Sequence, residues 1–197
     1  MPRITGASIA EHVAAQEAAV VAAAQRLFAE RGVAAVSLGD IAAEVGLRRT
    51  SLYRYFPTKG HILQVWFDRE MDPLLARSQE VVDELGPTVE ALRAWLDVQL
   101  DFVADEAHGA LVDASAGASD LSPEILEHFG QRHRELYATL GGILRTGGAR
   151  TPEEVRVRAL LVAGLVRSSA DLVAGGVPTA VVREELHRAA TAVAGLD

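Results

Sequence analysis

Helical spacing of apolar side chains runs along almost the whole of this 197-residue chain, and it restricts the fold more than any other feature. The first segment carries six such positions: Val13, Val20, Val21, Ala24, Leu27 and Phe28. They fall near the i, i+3, i+4, i+7 rhythm of a helix that buries one face. No segment shows the apolar and polar alternation of a half-buried strand. The sequence therefore predicts an all-α fold.

Helix boundaries are predicted from capping residues, glycine and proline. The first helix is expected to start at a capping box formed by Ser8 and Glu11 and to end at Arg31, before Gly32. Further on, proline stands at segment starts and glycine at segment ends, the usual asymmetry. The predicted later segments are 61–85 with an interruption at Pro73, 88–106, 109–118, 123–145, 152–174 and 178–193.

Composition excludes several classes of protein. Hydrophobic residues make up 49% of the chain and charged residues 23%, which suits a folded core rather than disorder. The sequence has no cysteine, so it has neither a disulfide framework nor a thiolate metal site. The apolar run 159–166 is far shorter than the roughly 20 residues that span a bilayer. With no signal-peptide pattern at the N-terminus, we expect a soluble cytoplasmic protein.

Charge is distributed unevenly along the chain. Residues 1–60 carry seven basic and five acidic side chains, whereas the whole chain has a net charge of −8, which leaves −10 for the remainder. A basic module on an acidic body suggests a polyanionic partner for the N-terminal part, because like charges repel. An ordinary uneven surface is the alternative that charge alone leaves open.

Residues 37–56 have the pattern of a helix, a tight turn and a second helix. Ser37 is a candidate N-cap, Gly46 supplies the turn, and Pro57 stops the second helix after Phe56. In a helix-turn-helix, the second helix enters the major groove of DNA while the first crosses the backbone. The predicted inward residues are Leu38, Ile41, Ala42, Val45, Leu47, Leu52 and Phe56. The predicted outward residues are Arg48, Arg49, Ser51, Tyr53, Arg54 and Tyr55.

The chemistry of the outward residues suits DNA. Arg48 and Arg49 stand in the predicted first turn of the second helix, and arginine can read guanine O6 and N7 with two parallel hydrogen bonds. Hydroxyl groups and a lysine ammonium can bind phosphate oxygens, which positions the protein without reading sequence.

The stretch RGVAAVSLGDIAAEVGLRRTSLYRYFPTKGHIL resembles the DNA-binding region of the tetracycline repressor (TetR) family of bacterial transcriptional regulators. The resemblance rests on three motifs: LF-x-E-x-G at 27–32, D-I-A-x-x-x-G at 40–46, and L-Y-x-x-F-x-x-K at 52–59. It implies that Tyr53 and Lys59 contact phosphates, with Ser37 and Tyr55 as helpers. The full predicted DNA-contacting set is Ser37, Arg48, Arg49, Thr50, Ser51, Tyr53, Arg54, Tyr55 and Lys59.

Three positions depart from the pattern of the family. Gly39 lies in the first helix of the motif, where glycine costs up to about 1 kcal/mol relative to alanine. Arg48 stands where the family commonly places a capping serine, and Thr50-Ser51 replaces the usual pair. The set of base-contacting residues is therefore richer in arginine than is usual.

The resemblance also implies the organisation of the whole chain: a three-helix DNA-binding domain over 1–60, then a larger helical domain over 61–197 for effector binding and dimerisation. The segment 159–166 is apolar around its circumference, so we expect it to be buried on both sides, by its own core and by a partner. An outer stripe in the last segment could complete the contact: Val181, Val182, Leu186, Ala189, Ala190 and Val193. A monomer is the alternative.

Large side chains in the middle segments are candidates for an effector pocket, because such pockets are mostly apolar with a few polar groups. The candidate set is Trp66, Phe67, Met71, Trp95, Gln99, Phe102, Phe129, His133, Tyr137 and Arg167. Aromatic residues at this spacing also occur in ordinary cores, so a core role for each remains open. His128 and His133 are five residues apart, which does not place them on one metal-binding face of a helix.

No catalytic, cofactor or metal motif is found, so we expect neither an enzyme nor a bound cofactor. The sequence predicts a dimeric DNA-binding regulator, a repressor released from a palindromic operator by a small molecule. The helix that starts near Lys59 would couple the two domains. Three alternatives stay open: an activator, an effector-independent regulator, or a helical small-molecule-binding protein without a regulated operator.

Overall fold

The computed structural model describes residues 6–118 and 121–196, and within them all regular structure is helical. The helices are α1 (Gly6–Arg31), a 3-10 turn (Val33–Ala35), α2 (Leu38–Glu44), α3 (Arg49–Tyr55), α4 (Lys59–Leu85), α5 (Val89–Val103), α6 (Glu106–Gly117), α7 (Pro123–Ala138), α8 (Gly141–Thr146), α9 (Pro152–Ala174) and α10 (Thr179–Ala194). The all-α prediction is confirmed. Among the helices so described, none is long and apolar enough to cross a membrane.

The chain forms two compact units. Unit 1 consists of Met1–Arg69 with Ala110–Glu127, and unit 2 consists of Glu70–Gly109 with His128–Asp197. Helices α4, α6 and α7 contribute residues to both. The functional boundary at residue 60 remains a prediction.

In unit 1, the helix-turn-helix forms as the sequence predicts. Ser37 caps α2, and its side chain and that of Asp40 satisfy each other's backbone N–H groups in a capping box. Gly46 then adopts a φ of 69°, a left-handed conformation that favours glycine, while the Leu47 N–H donates to the carbonyl of Ala42 at 2.8 Å. This tight turn places α3 directly after α2.

Buried apolar side chains hold the three helices of this module together. Ile41 and Leu52 have no exposed surface, and Phe56 is only 2% exposed. The stripe on α1 contributes Val20, Val21, Ala24, Leu27 and Phe28 to the same unit, all of them buried. The inward face predicted for α2 and α3 is thus confirmed at its centre, whereas Val45 and Leu47 are only half-buried.

Several sequence-based boundaries are wrong, among them the break predicted between 106 and 109, since α5 ends at Val103 and α6 begins at Glu106. Residues before Ser8 are already helical in α1 (Gly6–Arg31), so the predicted helix start at Ser8 is wrong. Pro73 does not interrupt α4, because packing of the buried Met71 and Leu74 on either side outweighs the missing N–H. The predicted segment 123–145 divides into α7 and α8 at Thr139. The Thr139 hydroxyl donates to the Leu136 carbonyl of α7 and so competes with backbone hydrogen bonding at the end of that helix.

Unit 2 is a helical body whose core lies between α5, α8, α9 and α10. Its largest fully buried side chains are Trp95, Leu92, Leu96, Leu100, Leu140, Ile143 and Leu144. The Arg158 guanidinium donates to the carbonyls of Gly147 and Ala194, each at 2.7 Å, and so ties the ends of α8 and α10 to α9.

Candidate nucleic-acid interface

The buried residue Leu52 sets which face of α3 is presented to solvent. An α-helix turns about 100° per residue, so Thr50 and Arg54 lie on the side opposite to Leu52. Both are exposed. Arg49 and Tyr53 lie on one flank of this ridge, and Ser51 and Tyr55 lie on the other.

Two arginines of α3 are held by neighbouring tyrosines. The Arg49 guanidinium donates to the Tyr53 hydroxyl at 3.0 Å and lies 5.3 Å from the centre of its ring. Arg54 donates to the Tyr55 hydroxyl at 3.2 Å, with the same 5.3 Å to the ring. The hydrogen bond to Tyr53 raises the pKa of Arg49. These pairs hold the guanidinium groups in defined places, so less side-chain freedom is lost when DNA binds.

A groove of about 390 Å³ runs along the Tyr53 flank of α3. We call it the lysine groove, and it is lined by Ala34, Ala35, Val36, Ser37, Leu38, Tyr53, Pro57, Thr58 and Lys59. The Lys59 ammonium donates to the carbonyl of Val33 at 2.7 Å. An ammonium has three donors, so two are left for a ligand after this bond. The Val33 carbonyl thereby fixes the position of a positive charge at the groove.

A second groove, of about 320 Å³, runs along the other flank. We call it the glutamine groove, and it is lined by Gln16, Leu47, Thr50, Ser51, Arg54 and Tyr55. Helix α1 reaches it through Gln16, which is half-buried.

Ser37 has a structural task in addition to any contact with DNA. Its hydroxyl donates to the Asp40 carboxylate at 2.6 Å, and its backbone N–H donates to the same oxygen at 2.8 Å. These two hydrogen bonds hold the pKa of Asp40 below its usual value. The hydroxyl proton is therefore engaged within the capping box.

The structure places seven of the nine predicted DNA-contacting residues in the two grooves. The other two, Arg48 and Arg49, lie exposed at the start of α3, with Arg48 as its N-cap. Sequence reasoning missed Gln16 and Thr58. Thr58 precedes the predicted phosphate contact Lys59 and could have been included for that reason, whereas the approach of α1 to α3 leaves no local signal at Gln16.

The predicted effector residues divide by burial. Trp66 and Phe67 are buried in unit 1, at 2% and 8% exposure. Met71, Trp95 and Gln99 are buried in unit 2. The Trp95 indole donates to Thr139 at 2.9 Å, and the Gln99 amide donates to the fully buried Ser78 hydroxyl at 2.9 Å. These two polar groups of unit 2 are engaged within its core.

The remaining effector candidates of unit 2 are more accessible. Tyr137 packs on Trp95 with 5.7 Å between ring centres. Burial raises the pKa of Tyr137, and the charge of the exposed Arg167 opposes that rise. Phe102 and Phe129 are half-buried, and His133 is exposed with its ring nitrogen 2.8 Å from the Phe129 carbonyl. Whether these side chains share a pocket remains a prediction.

Buried polar atoms without a hydrogen-bond partner among the described residues include Trp66 Nε1 in unit 1, and His108 Nδ1 and Thr191 Oγ1 in unit 2. His108, which sequence reasoning missed, has its ring centre 4.3 Å from that of Phe102. Burial lowers the pKa of His108, as does the neighbouring His133. Buried polar groups are normally hydrogen-bonded, so each of these atoms requires an explanation. No group of three side chains suited to a metal is found in the described part of the chain.

Helices α9 and α10 expose apolar side chains. Leu160 and Leu161 are 57% and 53% exposed, so the segment 159–166 is buried on one side only within a single chain. Val157, Leu172 and Val181 are exposed to a similar degree. The predicted outer stripe on α10 is wrong at three positions, because Val182, Leu186 and Ala190 are buried within the chain itself.

Comparison with known proteins gives a match for the module that contains both grooves. Residues 20–65 match the family described as bacterial regulatory proteins, tetR family. The chain is 32% identical over 89 residues to an HTH-type transcriptional regulator, SAR2658, of Staphylococcus aureus, covering 45% of this chain and 47% of the relative. The chain spans about half the length of the curated relatives it matches.

Two solved structures have the same fold over nearly the whole chain. NalD, the secondary repressor of the MexAB-OprM multidrug efflux pump in Pseudomonas aeruginosa, gives a TM-score of 0.68 at 18% identity, covering 93% of this chain and 97% of its own. LfrR from Mycobacterium smegmatis, solved in complex with proflavine, gives 0.55 at 20% identity, covering 92% and 96%. At these identities the likeness concerns the fold alone.

Proposed function

We propose, from the premise that this chain belongs to the tetR family of bacterial regulatory proteins, that it acts as a homodimer which binds a palindromic operator. The match over residues 20–65 agrees with the resemblance found in the sequence, and it supports a regulator rather than an enzyme. The observation that carries the proposal is the exposed, arginine-bearing ridge of α3 with a donor-rich groove on each side.

In this proposal α3 lies in the major groove. Arg48, Arg49 and Arg54 are exposed on it, and arginine is the side chain that most often reads guanine. Tyr53 and Lys59, in the lysine groove, contact phosphates and fix the register of the helix. The Tyr53 hydroxyl accepts from Arg49, so its own proton remains available for a phosphate oxygen.

A second copy of the chain is the proposed partner of α9 and α10. Large apolar residues on the exposed face of α9 flank Gly164, where an added Cβ would meet nothing within 4 Å in this chain. Glycine in a helix interior costs about 1 kcal/mol relative to alanine, and no contact within the chain offsets that. Close approach of a second helix at Gly164 would account for it. Symmetric dimers also suit a helix-turn-helix, which reads two half-sites about one helical turn apart.

We further propose that a small molecule releases the protein from DNA, which makes it a repressor. The buried His108 Nδ1 of unit 2, which has no hydrogen-bond partner among the described residues, supports a ligand in that unit, since a bound molecule could supply the missing hydrogen bond. A ligand that prefers the conformation with misplaced α3 helices would shift the population away from DNA binding. Helix α4 would carry the coupling, because it begins at Lys59 in unit 1 and continues into unit 2.

Selection of bound sequences from a random duplex library tests this function. The purified protein should recover a palindrome, and a variant with Arg48→Ala and Arg49→Ala should lose it while keeping its helical circular-dichroism spectrum. Recovery of no consensus at low salt, from protein shown by mass spectrometry to carry no bound small molecule, would overturn the proposal in favour of a helical binding protein.

A further inference from the structure

We infer that the glutamine groove is a second phosphate-binding surface, and that Gln16 of α1 contacts the DNA strand opposite to the one at the lysine groove. This inference rests on the proposed function, which places α3 in the major groove. It adds a contact from α1, outside the helix-turn-helix.

The two grooves lie on opposite flanks of α3. Tyr53 is the α3 residue that lines the lysine groove, whereas Ser51 and Tyr55 line the glutamine groove. At about 100° per residue, Ser51 and Tyr55 each lie about 160° around the helix from Tyr53. Thr50 and Arg54 form the ridge between the flanks and also border the glutamine groove.

The major groove of DNA is about as wide as one helix with its side chains. A helix with its side chains is about 10–12 Å in diameter, and the major groove of B-DNA is about 12 Å wide. A helix that fills the groove therefore has a phosphate backbone on each side, one from each strand. If Tyr53 and Lys59 meet one backbone, the glutamine groove faces the other.

The glutamine groove is rich in hydrogen-bond donors. Hydroxyl donors come from Thr50, Ser51 and Tyr55, guanidinium donors from Arg54, and an amide donor from Gln16. Phosphate oxygens accept hydrogen bonds from all of these groups. No acidic side chain is among its lining residues. Such a surface fits a phosphodiester backbone better than it fits a cation or an apolar ligand.

Because Gln16 comes from α1, its contact would tie α1 to the DNA. The Gln16 amide lies beside donors of α3, so a phosphate bound there would touch both helices. The same phosphate would help to fix the angle at which α3 enters the major groove.

A gain of charge gives the most direct test. Gln16→Lys should strengthen binding to any duplex and steepen the slope of log affinity against log salt by about 0.9, the value for one added phosphate contact. Between 200 and 50 mM salt, that slope corresponds to an additional gain of about 3.5-fold in affinity. The measurement is fluorescence anisotropy with a labelled mixed-sequence duplex at four salt concentrations.

Ala18→Lys is the matched control. Ala18 is exposed and lies about 160° around α1 from Gln16, so the variant carries the same added charge on the other side of the helix. We expect its salt slope to equal that of the wild type. Thermal unfolding followed by circular dichroism checks that both variants fold.

Ethylation interference on the selected operator shows which phosphates on each strand are contacted. Modified phosphates that block binding should occur on both strands for the wild type. Gln16→Ala should relieve interference on one strand, and Lys59→Ala should relieve it on the other. Equal slopes for Gln16→Lys and Ala18→Lys, together with an interference pattern that Gln16→Ala leaves unchanged, would overturn the inference while the proposed function stands. Failure of the wild type to bind any duplex would instead overturn the proposed function.

Discussion

The surface of unit 1 that is proposed to face DNA and the helical body of unit 2 arrange their polar side chains in different ways. On α3, Arg49 binds Tyr53 four residues away, and Arg54 binds its neighbour Tyr55, all near the surface. In unit 2, polar pairs span 21, 44 and 86 residues of sequence: Gln99 with Ser78, Trp95 with Thr139, and Arg183 with Asp97. The local pairs order side chains within one helix, whereas the long-range pairs of unit 2 hold different helices together.

This difference also separates what each surface offers to a partner. The exposed face of α3 is polar and cationic, which suits phosphates and base edges. The exposed face of α9 is apolar, which suits another protein surface. The two surfaces should therefore respond to different substitutions.

The largest effect is expected from Leu161→Gln on the apolar face of α9. Burial of a leucine side chain contributes about 1.5–3 kcal/mol, and a symmetric dimer loses it twice, so dimerisation should weaken by about 100-fold or more. Leucine and glutamine have similar helix propensities, so α9 itself should persist. Sedimentation equilibrium measures the change in dissociation constant.

Val112→Gln is the control for that substitution. Val112 is 52% exposed, against 53% for Leu161, but it lies in unit 1. Its replacement should leave the molecular mass in solution unchanged. An equal loss of dimer from both variants would mean that general surface hydrophobicity, rather than the α9 face, drives association.

The next largest effect is expected from Arg49→Ala on α3. Loss of a bidentate contact to guanine should weaken specific binding by about 1–3 kcal/mol and relax the preference at one base pair. Competition titration with single-base variants of the operator measures this. Tyr53→Phe should give a smaller loss at the same base pair, because it removes the hydroxyl that holds Arg49. An unchanged operator preference in Arg49→Ala would assign base reading to other residues of α3.

Each unit contains a capping box of the same kind, so the same type of substitution can be made in both units. Ser37 caps α2 with Asp40, and Thr151 caps α9 with Glu154 in the same arrangement. Ser37→Ala and Thr151→Ala should each lower the free energy of unfolding by about 1 kcal/mol, measured by urea titration. Ser37→Ala alone should also weaken DNA binding, since α2 borders the lysine groove. A similar loss of DNA affinity in Thr151→Ala would show that the units are not separable in this way.

The smallest effect concerns His108 in unit 2. Its pKa is lowered mainly by burial and secondarily by His133, with Asp105 opposing, so the unfolded chain takes up the proton first. Stability should therefore be fully present above a pH of about 6.5 and fall as the pH drops towards the folded-state pKa. His108→Gln should flatten this part of the profile by less than about 1 kcal/mol, since the side chain is only partly buried. If the wild type and His108→Gln showed the same dependence of the free energy of unfolding on pH from 7.5 to 5, His108 would not be its cause.

Local signals explain which parts of the fold could be predicted from the sequence. Ser37, Gly46 and Pro57 mark the helix-turn-helix because each acts on the backbone of its own segment. The division between α7 and α8 was missed because it depends on Thr139, whose hydroxyl also binds Trp95 from another helix. The continuity of α4 through Pro73 likewise depends on packing and not on local propensity.

The same distinction applies to the candidate functional residues. The exposed side chains of α3 follow from the position of Leu52, and Arg49, Tyr53 and Arg54 were predicted to face outward, whereas the exposed Thr50 was not in that outward set. Gln16 was missed because only the tertiary packing of α1 brings it to α3. In unit 2, spacing could not separate Trp95 and Gln99, which are engaged in the core, from the more accessible Tyr137 and His133.

The most direct test of the central claim is the spacing of half-sites in the selected operator. Insertion of five base pairs rotates one half-site by about half a turn of the duplex, so the two α3 helices of a rigid dimer can no longer reach both. We expect this insertion to weaken specific binding at least about 100-fold, to the affinity of a single half-site. Unchanged affinity for the operator with the insertion would contradict recognition by a symmetric dimer.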